Sequence, residues 1–390
     1  MSEWREYRLS EVIEKFIDYR GKTPTKTAHG IPLITAKIVK EGKILEANEF
    51  IAEKDYDSWM TRGLPEINDV VLTTEAPLGE VALIKDKKVA LAQRIITLRG
   101  KKEKIDNVFL KYYFQSKDGQ HELQSRASGT TVFGIKSSVL QEVPILLPPL
   151  AEQKAIAGVL SALDDKIDLL HRQNKTLEAM AEALFRQWFV VEAEESWEEG
   201  SILDLIELVG GGTPKTEVAE YWNGNIGWLS GGDITDNHKS FVINSSKNIS
   251  EMGLNNSSAK ILPENSLVIS ARGTVGKFCI LSQPMAFSQS NYGIIPNNSK
   301  NYFFTYLLLN YAIEELKSSA YGSVFDTITT TTFRDLNVSL PPKDEITLFE
   351  KSIVGNFIKM KANCFQIRSL EKLRDTLLPK LMSGEVRVEM

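Results

Sequence analysis

The stretch PPLAEQKAIAGVLSALDDKIDLLHRQNKTLEAMAEALFRQWF, Pro148 to Phe189, has no proline after Pro149 and no glycine after Gly158. Apolar or small residues recur at Ile156, Leu160, Leu163, Ile167, Leu170, Leu177, Ala181, Leu184 and Trp188, and with Asn174 included the steps alternate three and four. That is a heptad seam, narrower than the stripe of a helix lying on a globule. Pro148-Pro149 marks the start, and Glu152 sits in the first turn, where an acid suits the helix dipole. At ~1.5 Å per residue, about 40 residues make a rod of about 60 Å, longer than a small domain is wide. Such a seam needs a partner helix.

A partner is present in the same chain. Near the C-terminus, PPKDEITLFEKSIVGNFIKMKANCFQIRSLEKLRDTLLPKLMSGEV opens with the same Pro-Pro step at Pro341-Pro342, followed by Asp344 and Glu345. Its apolar positions include Ile353, Phe357, Met360, Cys364, Ile367, Leu370, Leu377 and Leu381, and Gly384 supplies a stop. Matched length and matched starts favour an intramolecular coiled coil over packing of each rod on a globular domain or another protein. Asn174 falls on the seam, where a buried Asn fixes register; the alternative is a partly exposed Asn at the seam's edge. Trp188 and Phe189 close the first rod and read as packing residues.

The rods are part of a duplication of the whole chain. WREYRLSEVIE from Trp4 echoes WEEGSILDLIE from Trp197, and GKTPTK from Gly21 echoes GGTPKT from Gly211. IPLITAKI from Ile31 matches IGWLSGGDI from Ile226. LPEINDVVLTTEAPLGEVALI from Leu64 matches LPENSLVISARGTVGKFCIL from Leu262, and NVFLKYYFQS from Asn107 matches NYFFTYLLLN from Asn301. The offset stays near 190–200 residues. Each half is thus one globular domain of about 150 residues followed by one long helix. Asp69–Thr73, Glu80–Ile84 and Arg94–Leu98 read as strands, while Asn107–Ser116 and Asn301–Glu315 read as helices. The fold class is α+β: two similar strand-rich domains separated by two long antiparallel helices. Two similar surfaces of opposite polarity suit duplex DNA, whose dimeric readers take half-sites a turn or more apart.

Composition excludes several alternatives. The two cysteines, Cys279 and Cys364, form neither a disulfide framework nor a zinc pattern and fit a reducing cytoplasm. MSEWREYRLSEVIEK is too charged for a signal peptide, and no apolar run approaches the roughly 20 residues of a membrane span. The net charge of −5 excludes a uniformly basic coat but not local basic clefts. Residues 1–148 carry 23 Lys+Arg against 21 Asp+Glu, and residues 197–340 carry 9 against 14, so the second domain is the more acidic. No Asn/Asp-Pro-Pro-Tyr/Phe motif for amino methylation and no phosphate-binding G-x-x-x-x-G-K-[ST] loop is present. His29, His121, His171 and His238 lack metal-ligand spacing. These absences argue against a standalone modification enzyme, and the sequence offers no metal-ligand pattern.

LPPLAEQKAIAGVLSALDDKIDLLHRQNKTLEAMAEALFRQWF resembles the central conserved segment of type I restriction–modification specificity subunits. SLEKLRDTLLPKLMSGEVRV resembles their distal segment, and LPENSLVISARGTVGKFCIL and FSQSNYGIIP resemble stretches of their target-recognition domains. The resemblance covers essentially the whole chain. It implies target-recognition domains over 1–148 and 193–341 and helical spacers over 149–192 and 342–385. Each domain would read half of a split double-stranded DNA sequence. The rods would set the spacing and bind methyltransferase subunits, which a motor–nuclease restriction subunit joins. The chain itself would be non-catalytic and without cofactor, S-adenosylmethionine, ATP and Mg belonging to the partners.

Sequence readers need donors and acceptors on loops that reach base edges, with cations for phosphates. The candidates in the first half are Lys22, Thr23, Lys26, Lys37, Thr73, Thr74, Gln93, Arg94 and Thr130. Those in the second are Thr213, Lys215, Ser230, Asp233, Ser270, Arg272, Gln289, Asn291 and Ser323. Chemistry differs at matching places, Thr74-Glu75 against Ala271-Arg272 and Gln93-Arg94 against Gln289-Ser290, as two different half-sites require. The competing reading of each residue is a turn former. The competing reading of the chain is a coiled-coil scaffold that binds protein without reading DNA.

Overall fold

The computed structural model describes residues 4–129, 133–298, 300–319 and 327–388. By packing, the chain divides into two compact units, Met1–Ile167 with Leu370–Met390, and Asp168–Ser369. Each long helix contributes residues to both.

The first unit is built on a four-stranded antiparallel sheet in the order Ile13–Asp18, Ile95–Gly100, Val70–Thr74, Leu78–Leu83. All five residues of Val70–Thr74 are buried, because this inner strand is covered on both faces. Alternation sorts them: Val70 and Leu72 join the core of Phe109, Leu110 and Phe114, while Val71 joins that of Ile31, Leu33 and Ala90. The first face packs on the helix Asn107–Gln115, whose start is capped by Asp106 accepting from the Val108 and Phe109 amides at 2.9 and 3.0 Å. The second packs on a small sheet of Phe50–Ile51, Ile31–Ile34 and Ala90–Leu91, with Leu33 and Ala90 in parallel register. Ile156, Ala157 and Leu160 of the first rod complete the helix-side core together with Leu381 and Met382 of the second.

The second unit repeats this plan. Ile206–Gly210, Asn291–Pro296, Leu267–Ser270 and Phe278–Leu281 lie in the same order, with Phe241–Val242 added in parallel at the edge. Leu267 and Ile269 face the core of Phe303 and Tyr306, and Val268 faces that of Leu229 and Phe287. A small sheet again carries a parallel pair, Trp228 with Ala286. The α+β class and the duplication read from the sequence are both present.

The rods are continuous α-helices over Leu150–Arg186 and Lys343–Met382, the first ending in a π-helical turn at Gln187–Val191. Within each unit they run antiparallel. In the first, Asp164 meets Arg374; in the second, Asn174 meets Met360 and Leu177 meets Asn356. Asn174 is half-buried and faces the other rod, where it accepts from Asn363 Nδ2 at 2.8 Å. The seam departs from expectation at one place. Leu184 is exposed, and Phe185 is buried in its stead. Past Ala181 the helix lies on a globular core, so the inward positions step by four to Phe185 and Phe189, which pack on Phe304 and Phe349. Trp188 packs on Phe349 with ring centroids 5.4 Å apart. The strands read as Asp69–Thr73, Glu80–Ile84 and Arg94–Leu98 occupy Val70–Thr74, Leu78–Leu83 and Ile95–Gly100. Among the described residues no helix is long and apolar enough to cross a membrane.

Candidate nucleic-acid interface

One turn in each unit gathers several of the candidate residues. In the first unit it follows the strand Val70–Thr74. The Thr74 amide donates to Arg94 O at 2.9 Å, and the Ile135 amide donates to Thr74 O at 3.0 Å. Glu75 bridges to Gly134. Three segments distant in sequence therefore meet at Thr74-Glu75. In the second unit the Ala271 amide donates to Ser290 O at 3.1 Å, the Ile328 amide donates to Ala271 O at 2.9 Å, and Arg272 bridges to Thr327. The two junctions are the same construction. The turns also share two positive φ positions, Ala76 and Gly79 in one and Gly273 and Gly276 in the other, while the Ala76-Pro77 bond of the first is cis.

Side chains at this junction separate by burial. Thr73, Thr74, Ser270, Asn291 and Asp233 are buried. Thr73 Oγ1 accepts from the Glu80 amide at 2.9 Å. Ser270 Oγ donates to Arg272 O at 3.0 Å, and Asn291 Nδ2 donates to Ser288 Oγ at 2.7 Å. Asp233 accepts from the Ser230 amide at 2.8 Å and hydroxyl at 2.6 Å and from the Ser246 amide at 2.7 Å. Thr73, Ser270, Asn291 and Asp233 thereby hold turns in shape, while the buried Thr74 hydroxyl has no hydrogen-bond partner among the described residues; burial sets all five apart from the exposed candidates. Ser230 serves mainly as the cap of the short helix Gly231–Asp236.

The exposed candidates at these two junctions are Arg94, Arg272 and Gln289, with Gln93 and Thr213 half-exposed. Arg94 Nε lies 3.1 Å from Glu75 Oε1. Thr213 is drawn to the second junction by accepting from the Gln289 amide at 3.5 Å. Lys22, Thr23, Lys37 and Lys215 are exposed as phosphate contacts require, and Lys26 is paired with Glu49 at 2.8 Å on the rim of the small sheet. Thr130 and Ser323 lie outside the described residues. Glu75 is absent from the candidates named from the sequence, although the repeat comparison already sets it against Arg272.

Charges buried elsewhere hold the frame. Arg99 forms a forked pair with Asp69, Nη2 to Oδ2 at 2.7 Å and Nε to Oδ1 at 3.0 Å, and the hydrogen bond to Asp69 raises the guanidinium above its usual range. This fixes the strand Ile95–Gly100 to the turn before Val70. Among the described residues no group of His, Cys, Asp or Glu could hold a metal ion.

The family model of the type I restriction modification DNA specificity domain matches residues 1–179 and again 194–367. The MjaIX specificity subunit of a type I restriction enzyme from Methanocaldococcus jannaschii is 28% identical over 388 residues, covering 92% of this chain and 87% of the relative. The HindI specificity subunit from Haemophilus influenzae is 26% identical over 316 residues, covering 62% of this chain and 68% of the relative. Among solved structures, the S subunit of a type I restriction-modification system from M. genitalium matches with a TM-score of 0.63 at 17% identity, covering all of this chain and 97% of that one, a likeness of fold. Matched twice over nearly its whole length, the chain belongs to the type I restriction modification DNA specificity family.

Proposed function

We propose that this chain is the non-catalytic, sequence-specific DNA-recognition subunit of a type I restriction–modification complex. Each unit reads one half of a bipartite duplex target. The rods dock methyltransferase subunits, which a motor–nuclease subunit joins. S-adenosylmethionine, ATP and Mg belong to those partners.

The observation that carries this reading is the pair of equivalent junctions with unlike exposed side chains. A framework kept twice while its rim changes is the arrangement that reading two different sequences calls for. Base edges in the major groove present distinct patterns of donors and acceptors, so two half-sites require two sets of side chains. Phosphate contacts, by contrast, are alike at every sequence and are met by dispersed cations such as Lys22, Lys37 and Lys215.

The test is an exchange of residues 1–148 for the matching domain of a relative with a different target, followed by mapping of methylated motifs in cells carrying the methyltransferase subunit. One half of the motif should change and the other persist. A change in both halves would sink the assignment of one unit to one half. Methylation that ignores the exchange altogether would support the scaffold reading instead.

A further inference from the structure

Glu75 and Arg272 occupy one and the same position of the repeated turn, held by matching backbone hydrogen bonds and matching positive φ values, yet they carry opposite charge. Arg272 is exposed, and Glu75 is 41% exposed at its side chain. We propose that this position is a base-reading position in each unit and that its charge decides the base. Arg272 takes guanine. Glu75 takes a base that offers an exocyclic amino group, cytosine or adenine. The assignment rests on the DNA-recognition reading above and names the residues that discriminate within it.

Three physical arguments support it. A turn former has no need of charge, and the backbone hydrogen bonds and positive φ positions of this turn recur with either sign. A phosphate contact would need a cation in both units, because every phosphate is anionic; a glutamate at this place is repelled by it. What does alternate between donor and acceptor along a duplex is the base edge. Guanine presents O6 and N7 as two acceptors that a guanidinium fork bridges, while cytosine N4 and adenine N6 are donors that a carboxylate accepts from.

The neighbouring position changes in step. Arg94 in the first unit stands 3.1 Å from Glu75, and its backbone carbonyl accepts from the Thr74 amide. The matching carbonyl in the second unit belongs to Ser290, whose hydroxyl lies 3.0 Å from that of Ser288. A carboxylate approaching DNA meets the field of the phosphates, and an adjacent guanidinium offsets that repulsion. An arginine needs no such neighbour. Arg94 is therefore a positioning residue for Glu75, and the neutral Ser290 beside Arg272 follows from the same electrostatics.

The experiment uses the full chain assembled with its methyltransferase subunit and a library of duplexes randomised in sequence, selected by binding at fixed salt. The variants are Glu75→Gln, Arg94→Gln, Arg272→Gln and Arg272→Lys, with Lys88→Gln as an exposed control and melting temperature as the check on folding. Arg272→Gln should lower the preference for guanine at one base pair by about tenfold or more and leave the other half of the motif unchanged. Arg272→Lys keeps the charge but loses the fork, so affinity should hold while the guanine preference weakens. Glu75→Gln should relax one cytosine or adenine position in the other half, and Arg94→Gln should disturb that same position less. Weakening that is uniform over all sequences, with a shallower salt dependence, would assign these residues to phosphates and overturn the proposal. So would motifs unchanged in the folded variants. A wild-type complex that selects no motif would overturn the recognition reading and this assignment with it, a result seen before any variant is measured.

Discussion

Arg374 Nη1 lies 3.1 Å from Asp164 Oδ1, and the second oxygen of that carboxylate takes Lys111 Nζ at 2.9 Å and the Tyr112 hydroxyl at 2.6 Å. One side chain thus ties both rods to the helix Asn107–Gln115. Burial by itself would raise the Asp164 carboxyl, but Lys111, Tyr112 and Arg374 outweigh it and hold the group below its ordinary value. Burial pulls the Lys111 ammonium down. Asp164→Ala leaves that buried ammonium without its partner and should cost about 3–5 kcal/mol in urea unfolding at neutral pH. A loss under about 1 kcal/mol would show that Lys111 finds water instead. Because the folded value lies below the unfolded 3.8, the contribution of Asp164 is present above that pH and disappears as pH falls through the folded value. The difference between wild type and Asp164→Asn should therefore shrink in acid.

Glu350 behaves oppositely. It accepts from the Phe303 and Phe304 amides at 3.1 and 2.7 Å, the start of the helix Tyr302–Ser319, where the first unit uses Asp106 on the helix itself. Burial pushes its carboxyl up to about 7, against the pull of the two amides. The folded value exceeds the unfolded 4.5, so the folded state holds the proton more tightly. Stability of the second unit should fall as pH rises from 4.5 towards about 7. Glu350→Gln should flatten that slope, which for one proton reaches about 1.4 kcal/mol per pH unit. Melting curves of the two proteins that stay parallel across this range would contradict the assignment.

Asn363 is buried between the rods and donates to Gln173 Oε1 at 2.9 Å and Asn174 Oδ1 at 2.8 Å. A polar plug in an apolar seam specifies register at a cost in stability. The double substitution Asn174→Leu, Asn363→Leu should raise the melting temperature by a few degrees, on the order of 1 kcal/mol. Asn363→Leu alone should lower it, since Gln173 and Asn174 lose their donor. A double variant less stable than either single one would remove the plug from the description.

Inserting residues after Lys175 tests the packing of Ala181, Phe185 and Phe189, which are buried against Phe304 and Phe349. Two inserted helical residues turn the following segment by about 200° and should abolish folding of the second unit. Four turn it by about 400°, within about 40° of its original phase, and the protein should remain soluble and cooperative. The read-out is the helical signal and the sharpness of the thermal transition. Equal damage from both insertions would mean that axial position, rather than phase, governs this contact.

The sequence by itself determined the repeat, the two rods and their antiparallel pairing, because these follow from periodicity, from paired Pro-Pro starts and from the connection of one chain. It placed Asn174 on the seam but left open whether that side chain is buried or lies at the seam's edge; in the structure it is half-buried against Asn363. It mistook Leu184 for a seam residue, since a strict heptad holds only while two helices face each other, and the rod there lies on a globular core. Only the tertiary structure decided which candidate side chains are free to meet a ligand. Thr73 and Arg94 read alike as polar turn residues, yet one is sealed beneath a strand pair and the other stands at the rim. That difference depends on the meeting of segments around residues 74, 94 and 135, held by backbone hydrogen bonds whose partners no local pattern names. The same is true of Asp164 and Glu350, whose protonation is set by burial and by neighbours brought from distant parts of the chain.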